Sequence, residues 1–276
     1  MSFGTIDRDP TREYDNIRTL RVDPHSNYLL VSDIYNQIAH GNATGHYSLR
    51  KFGQNPDIGV TLETVWDEGG LYSYPTSAGP MRVSSSSALD TALGTGARTV
   101  QIYGLDSSYD EISEVITLAG QAHVWTFGYY RRVYRMKVLS AGTGGQNAGT
   151  LYVGTGGLTA GKPANVFGSV KIGHNQSLMA LWTIPRDYMF FMTSLYVSIN
   201  AVKPVEIELR IRPFGEVFQT KEAMYLTGNS QYIPFEIPQV YTEKSDIEIR
   251  AKAGATGAGV SASFTGFYME SAMENA

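Results

Sequence analysis

The most distinctive chemical cluster in this sequence is the run from Tyr129 to Arg135, which mixes tyrosines with arginines. Aromatic rings combined with arginine can bind sugars or single-stranded nucleic acid by stacking. The same run also suits a strand whose outer face meets another subunit. The net charge of −4 favours this second interpretation, because an acidic chain is a poor partner for nucleic acid.

Two histidines form the next candidate site. His40 and His46 flank a short Gly- and Asn-containing turn, and Asp57 is the nearest downstream carboxylate that could complete a metal site. This spacing does not match the ligand patterns of zinc sites. We therefore expect a hydrogen-bonded loop and no metal.

Three acidic residues, Asp106, Asp110 and Glu111, fall in a turn between two strand-like runs and could offer oxygen ligands to calcium. The turn lacks the spacing of a twelve-residue calcium loop. Asp in turns commonly hydrogen-bonds its own backbone, so solvated turn acids are the favoured interpretation.

The usual patterns of a catalytic centre are missing from the sequence. Ser84–Ser87 is a run of hydroxyls without a nearby histidine, and neither a nucleophile elbow nor a phosphate-binding loop occurs. The carboxylates are too scattered for acid and base roles. We expect no enzymatic activity, no catalytic residues and no cofactor.

Composition narrows the class of protein further. The chain has 276 residues, 42% of them hydrophobic, and no cysteine, so a sizeable core is possible and disulfides are excluded. Charges near Met1 argue against a signal peptide, so the glycosylation patterns at Asn42 and Asn175 should stay unmodified. No stretch reaches the ~18 apolar residues of a membrane span. We expect neither nucleic acid nor membrane as a partner.

Periodicity predicts an all-β fold. Val205–Arg212 alternates apolar with charged residues, which is typical of an antiparallel strand with one buried face. The 18 tyrosines and 29 glycines fit strands joined by tight turns. Hairpins are predicted at Thr99–Leu118 and Val205–Leu226, one in each half, which suggests an internal duplication.

We predict two tandem antiparallel β-sandwich domains, jelly-roll-like, with an extended N-terminal arm. The predicted boundaries are 1–54 for the arm and docking segment, 55–155 for the first sandwich, 156–169 for a linker and 170–276 for the second sandwich. The linker is proposed because its residues are mostly Gly, Ala and Thr.

The arm itself divides into two parts. Residues 1–27 are polar and contain Pro10 and Pro24, which predicts an extended segment. Tyr28–His40 carries apolar residues every four positions and predicts a short helix, with a pair of strands as the alternative.

Several motifs, in this order and spacing, resemble a family of virion structural proteins of tailed phages that is frequent in cyanophages and other marine phages. The resemblance covers about Ile38 to Tyr268 and is carried by Ile38–His46, Lys51–Ile58, Ser84–Ala92, Gly94–Val100, Tyr103–Asp106 and Arg210–Gly215. It implies a place in the virion, assembled in the host cytoplasm, and supplies no catalytic residues.

Three functions remain open within this interpretation. The favoured one is a capsid decoration or cement protein, a homotrimer bound to the major capsid protein through residues 1–40. A tail or fibre component shares the same sequence features, although no long coiled-coil or β-helical stretch supports a fibre. A carbohydrate-binding module using Tyr129–Arg135 is the third.

Overall fold

A computed structural model describes residues 34–271 of the chain. Its helix α1, Ile34–Ala39, falls within the segment for which the sequence predicts a helix or two strands. It belongs to one compact unit, Met1–Ala43, while the described residues from Thr44 onward form a second. The predicted arm of residues 1–27 lies outside the described residues. Within residues 34–271, no helix has the length and apolarity needed to cross a lipid bilayer.

The second unit is built from β-strands in antiparallel pairs, which confirms the predicted all-β class. The sixteen described strands are β1 His46–Ile58, β2 Glu63–Thr64, β3 Arg82–Ser85, β4 Ala97–Leu105, β5 Glu111–Thr117, β6 Val124–Trp125, β7 Arg132–Ala141, β8 Leu151–Thr159, β9 Lys162–Val170, β10 Leu181–Thr183, β11 Tyr188–Asn200, β12 Val205–Arg212, β13 Gln219–Leu226, β14 Ser230–Tyr241, β15 Asp246–Ala253 and β16 Ala258–Glu270.

Four sheets result from the pairing of these strands. Sheet I has the order β1-β16-β11-β14, and sheet II has the order β10-β15-β12-β13 with β2 beside β15. Sheet III has the order β6-β3-β8-β9, and sheet IV has the order β5-β4-β7. Both predicted hairpins are present, as β4 with β5 and as β12 with β13.

Each pair of sheets encloses a hydrophobic core. The buried side chains of β11, β12, β15 and β16 form one cluster between sheets I and II, which we call the large sandwich. Those of β4, β7 and β8 form another between sheets III and IV, which we call the inserted sandwich. Strand β12 alternates buried and half-buried positions along its whole length, as its sequence predicts. The jelly-roll detail stays a prediction.

The two sandwiches are not arranged in tandem. Strand β1 pairs with β16, and β2 pairs with β15, so residues near the start of the described chain complete the large sandwich. All strands of the inserted sandwich lie in sequence between β2 and β10. The predicted boundaries at 54 and 55 therefore cut through β1, because a strand's partner cannot be read from its own alternation.

The prediction of a linker at residues 156–169 is wrong. The segment spans the hairpin of β8 and β9. Its glycines serve turn geometry and close packing: Gly161 has φ +82°, and a Cβ there would lie 1.9 Å from the carbonyl oxygen of Ser85. Glycine content alone does not distinguish such a close approach from a flexible connection.

Candidate functional site

The aromatic and basic run from Tyr129 to Arg135 does not form one exposed surface. Tyr130 and Val133 are buried in the core of the inserted sandwich. Arg132 is only 5% exposed, whereas Tyr129 and Arg135 face solvent. Neither a continuous sugar-binding strip nor a continuous tyrosine contact strip exists here, because Tyr130, Arg132 and Val133 are buried between the exposed ends of the run.

Arg132 instead forms the centre of a buried ionic network. Its Nε and Nη2 donate to Oδ1 and Oδ2 of Asp246 at 2.9 and 3.1 Å. Arg212 adds a hydrogen bond from Nε to Oδ2 at 2.9 Å, and Thr183 donates its hydroxyl to Oδ1 at 2.5 Å. Two guanidinium groups on one carboxylate, together with a hydroxyl, fill the acceptor positions of Asp246.

The charge state of this network follows from its contacts. Burial alone would lower the pKa of Arg132, but hydrogen bonding and attraction from Asp246 raise it above its ordinary value. Arg132 therefore stays charged. Its Nη1 donates to the carbonyl oxygens of Pro75 and Arg131, both at 3.0 Å, which anchors the loop before β3 as well.

A second buried ion pair, between Glu248 and Arg250, lies next to Asp246 on β15. Glu248 is fully buried, accepts a hydrogen bond from Thr64 at 3.1 Å and pairs with Arg250. Burial raises the pKa of Glu248, and Arg250 and Thr64 oppose that shift. The hydrogen bond from Thr64 ties β2 to β15, so we assign this group a structural role.

A cleft opens beside the Arg132–Asp246 pair, and we call it the arginine cleft. Its volume is about 470 Å³. Strands and loops of both sandwiches line it, with Tyr74, Pro75, Thr76, Tyr109, Arg131, Arg132, Arg212, Pro213, Phe214, Gly215, Glu216, Lys244 and Asp246.

Aromatic rings order the cations of the cleft. Arg132 and Arg212 lie 5.1 and 4.5 Å from the ring centre of Tyr74, and Arg131 lies 5.5 Å from that of Tyr109. Such contacts hold guanidinium groups in place without neutralising them. Tyr109 itself has φ 68°, a conformation that costs free energy in a non-glycine residue and is found more often at functional sites than elsewhere.

A second feature lies on the outer face of sheet I, where polar side chains would be expected. The rings of Phe191 and Phe267, on β11 and β16, stack at 4.9 Å with an angle of 1° between their planes. Val240 is registered beside Phe191, and Tyr196 beside Tyr232. We call these five residues the aromatic face.

The exposure of this face is unusual for a sheet with one solvated side. Tyr232 is 59% exposed, Val240 47% and Tyr196 40%. The outer side of an antiparallel sheet is normally polar. Large apolar side chains there are typical of a surface that another protein covers.

The candidate metal ligands have ordinary roles in the structure. His46 places Nδ1 2.9 Å from the carbonyl oxygen of Thr44, in agreement with a hydrogen-bonded loop. Asp106 Oδ1 accepts hydrogen bonds from the backbone N–H groups of Ser108 and Asp110 at 2.7 and 3.0 Å. Among residues 34–271, no three histidine or carboxylate side chains come close enough together to hold a metal ion.

The remaining acids of that turn are engaged elsewhere. Asp110 forms an ion pair with Arg186 at 2.9 Å. Glu111 accepts a hydrogen bond from the hydroxyl of Tyr134 at 2.8 Å. Both pairs lie at the surface, where such contacts contribute little to stability.

The serine run Ser84–Ser87 is part of the scaffold. Ser84 donates to the carbonyl oxygen of Gly161 at 2.7 Å, and Ser85 donates to Asp90 at 2.6 Å. Ser86 accepts a hydrogen bond from the backbone of Thr150 at 2.9 Å. These contacts explain why the sequence repeats a small hydroxyl residue here without a catalytic partner.

Asp90 is a buried carboxylate that the sequence analysis did not single out. Its Oδ1 accepts from the backbone N–H groups of Ala97 and Ala148 at 2.7 and 2.8 Å. Its Oδ2 accepts from Gly149 at 2.8 Å, besides the hydroxyl of Ser85. The motifs Ser84–Ala92 and Gly94–Val100 thus surround a carboxylate that fastens three loops.

The arginine cleft was also missed, although one signal for it was present. The motif Arg210–Gly215 contains Arg212, Phe214 and Gly215, all of which line the cleft. Their partners Arg132 and Asp246 lie far away in the sequence, and no local pattern connects them.

Comparisons with known proteins do not identify a function for this site. No protein family matches the chain, and neither does any curated protein. Among solved structures, the PBSX exported protein XepA aligns over 80% of this chain and 84% of its own, with 10% identity and a TM-score of 0.19. A structure of the infectious bursal disease virus Gx strain covers 82% and 71%, with 9% identity and a TM-score of 0.21. The VP2 subviral particle of that virus covers 82% and 72%, with 9% identity and a TM-score of 0.20. We base no functional inference on likenesses this weak.

Proposed function

We propose that this chain is a non-enzymatic structural component of a tailed-phage virion, and specifically a decoration or cement protein of the capsid shell. The aromatic face is the observation that carries a structural role, because it offers an apolar contact surface on the outer side of a sheet. The sequence resemblance from Ile38 to Tyr268 supplies the virion as its setting.

The aromatic face supports assembly through side chains more than through strand addition. Strand β14 lies at the edge of sheet I and contains Pro234 and Pro238. Proline lacks a backbone N–H group, so such an edge resists the addition of a further strand. A partner would therefore pack against the face of the sheet, with Tyr196 and Tyr232 near the centre of the contact.

The partner that we propose for this face is a second copy of the chain in a closed oligomer, most simply a trimer. In a closed ring of three copies, the aromatic face of each copy would meet a different surface of its neighbour, so no aromatic face would be left uncovered. A trimer would also fit a three-fold position between capsid subunits and brace its neighbours equally. Attachment to the major capsid protein through residues 1–40 belongs to the same proposal.

The buried network suits a protein that braces a shell, because it connects the two sandwiches. Arg132 lies on β7 of the inserted sandwich, and Asp246 lies on β15 of the large sandwich. Tyr72, in the loop after β2, donates its hydroxyl to the carbonyl oxygens of Val133 and Phe167 at 3.2 and 3.1 Å. A brace on a shell benefits from two sandwiches that move as one body.

The decisive experiment is electron cryomicroscopy of purified particles, with mass spectrometry to count copies of the chain. A decoration protein would be present in a fixed ratio to the capsid subunit and would appear as density on the shell. A low copy number confined to the tail would favour the tail component instead. Absence of the chain from washed particles would rule out both.

A further inference from the structure

The arginine cleft has an excess of positive charge. Its lining has four basic side chains, Arg131, Arg132, Arg212 and Lys244, against two acidic ones, Asp246 and Glu216. Three other clefts differ in this respect: one is lined by no charged residue, one by a lysine and a glutamate, and one by a single lysine. Volume distinguishes the arginine cleft less clearly than charge does. The three other clefts have volumes of about 340 to 370 Å³, against about 470 Å³ for the arginine cleft.

Not all of this charge is neutralised within the protein. Arg132 and Arg212 share the single carboxylate of Asp246. Lys244 has only a distant contact of 3.4 Å with Glu243. Arg131 has no ion pair among residues 34–271, and its Nε is buried there without a hydrogen-bond partner. Because Arg131 lines the cleft, its charge is left for an anionic ligand to neutralise.

An exposed aromatic ring lies beside these cations. Phe214, in the turn between β12 and β13, is 60% exposed. Its ring meets that of Tyr109 edge to face, with centroids 5.8 Å apart, and the ammonium group of Lys244 lies 5.5 Å from its centre. These contacts fix the ring while leaving much of it accessible.

We propose that the arginine cleft binds an acidic saccharide, a pyranose that carries a carboxylate. The carboxylate accepts hydrogen bonds from the guanidinium of Arg131, and Lys244 adds to the attraction. The sugar ring packs on Phe214, because its C–H groups carry a slight positive charge and the face of an aromatic ring is negative. A volume of about 470 Å³ lies within the usual range for small-molecule sites.

This inference goes beyond the proposed structural role and can be tested without a particle. The probes are the methyl glycosides of glucuronic acid, galacturonic acid and sialic acid, each added to the purified full-length chain in titration calorimetry and ligand-observed NMR. Methyl glucoside and methyl galactoside serve as neutral counterparts of the two uronic acids, and inorganic phosphate serves as a plain anion. We expect at least one acidic glycoside to bind, and glucoside, galactoside and phosphate to bind at least about tenfold more weakly.

Two variants connect that binding to the cleft. Arg131→Gln should weaken binding by about tenfold or more, since it removes a charged hydrogen-bond donor. Arg135→Gln is the matched control: this arginine also lies near an aromatic ring, 5.9 Å from the centre of Tyr103, but lies outside the cleft. The affinity of the Arg135→Gln protein for the acidic glycoside should change by less than about twofold. Phe214→Ala, at an exposed turn, should also weaken binding and tests the ring contact separately.

Failure to bind any acidic glycoside would overturn the inference, as would equal binding of the neutral glycosides. Phosphate that binds as tightly as the saccharides would reduce the cleft to a general anion site and would also overturn it. Unchanged binding in both Arg131→Gln and Phe214→Ala would place the ligand elsewhere. None of these outcomes depends on whether the chain occurs in a virion.

Discussion

Asp246 accepts hydrogen bonds from Arg132 at 2.9 and 3.1 Å, although the two residues are 114 positions apart in the sequence. Both side chains are almost fully buried: 6% of the Arg132 side chain and 3% of the Asp246 side chain are exposed. The pair connects β7 of the inserted sandwich with β15 of the large sandwich. A buried pair of this kind contributes little compared with an apolar substitute, but losing one partner leaves a charge stranded in the interior.

The first prediction follows from that asymmetry. Asp246→Ala should lower the free energy of unfolding by about 3–5 kcal/mol, because it leaves the guanidinium groups of Arg132 and Arg212 without a counter-charge. Urea denaturation followed by fluorescence measures the change. Glu222→Ala is the control, since Glu222 is exposed on β13. Equal effects of the two substitutions would show that the buried network does not stabilise the fold.

The second prediction concerns Asp90. Asp90→Ala should lower the free energy of unfolding by at least about 3 kcal/mol, because three backbone N–H groups and one hydroxyl lose their acceptor. Thermal unfolding monitored by circular dichroism tests this. Asp57→Ala, an exposed position on β1, should change stability by less than about 0.5 kcal/mol. A well-folded Asp90→Ala protein with unchanged stability would contradict the role assigned to this carboxylate.

The third prediction is a pH dependence that originates at Lys51. Burial, together with repulsion from Arg135, lowers the pKa of Lys51 from 10.5 to about 7. Between those two pH values the unfolded chain holds a proton on this lysine that the folded chain has lost. The free energy of unfolding should therefore rise with pH from about 7 upward, and no such contribution exists below that pH.

The contribution of Lys51 can be isolated by difference. Lys51→Met should remove the rise, while Lys252→Met, at an exposed position, should retain it. Denaturant titrations between about pH 7 and 8.5 stay within the window and well below the ordinary tyrosine pKa of about 10. If both variants keep the slope of the natural protein, Lys51 is charged in the fold.

The fourth prediction tests the aromatic face as an assembly surface. Tyr196→Glu should shift the chain toward monomer, because it places a charge in the middle of an apolar contact. Sedimentation analysis across a range of concentrations measures the distribution. Tyr225→Glu is a matched control on β13 of the other sheet, where the tyrosine is 69% exposed. Dissociation by the control and not by the test variant would move the interface to sheet II.

The fifth prediction concerns the arm. Deleting residues 2–27 should leave the sandwiches folded and the oligomer intact but sharply reduce binding to particles that lack the protein. The segment is polar and contains Pro10 and Pro24, a composition that favours docking to a partner over a place in a hydrophobic core. Equal decoration by the truncated and complete chains would place the docking surface on the sandwiches.

The parts of this fold that the sequence predicted are those with local signals. The alternation of Val205–Arg212 identified β12 and its buried side, and the turn residues after Leu105 identified the β4–β5 hairpin. Strand partners at long range had no such signal. His46 pairs with Met269, and nothing in either stretch indicates the other.

The candidate site was less predictable for the same reason. Tyr129–Arg135 drew attention through composition, yet the side chain that matters most there, Arg132, is defined by a carboxylate more than one hundred residues away. Burial of Tyr130, Arg132 and Val133 divides the run between the interior and the surface. A charge pair formed by distant strands has no signature in either strand alone.

The insertion of one sandwich within the other also sets the order in which the protein can fold on the ribosome. The strands of the inserted sandwich, β3 to β9, are contiguous in sequence and can associate as soon as they emerge. Sheet I cannot close until β16, the last described strand, has been synthesised, because β16 lies between β1 and β11. For most of translation the edge of β1 that pairs with β16 therefore has no partner strand. The nascent chain therefore depends on β1 remaining unaggregated until β16 has been synthesised.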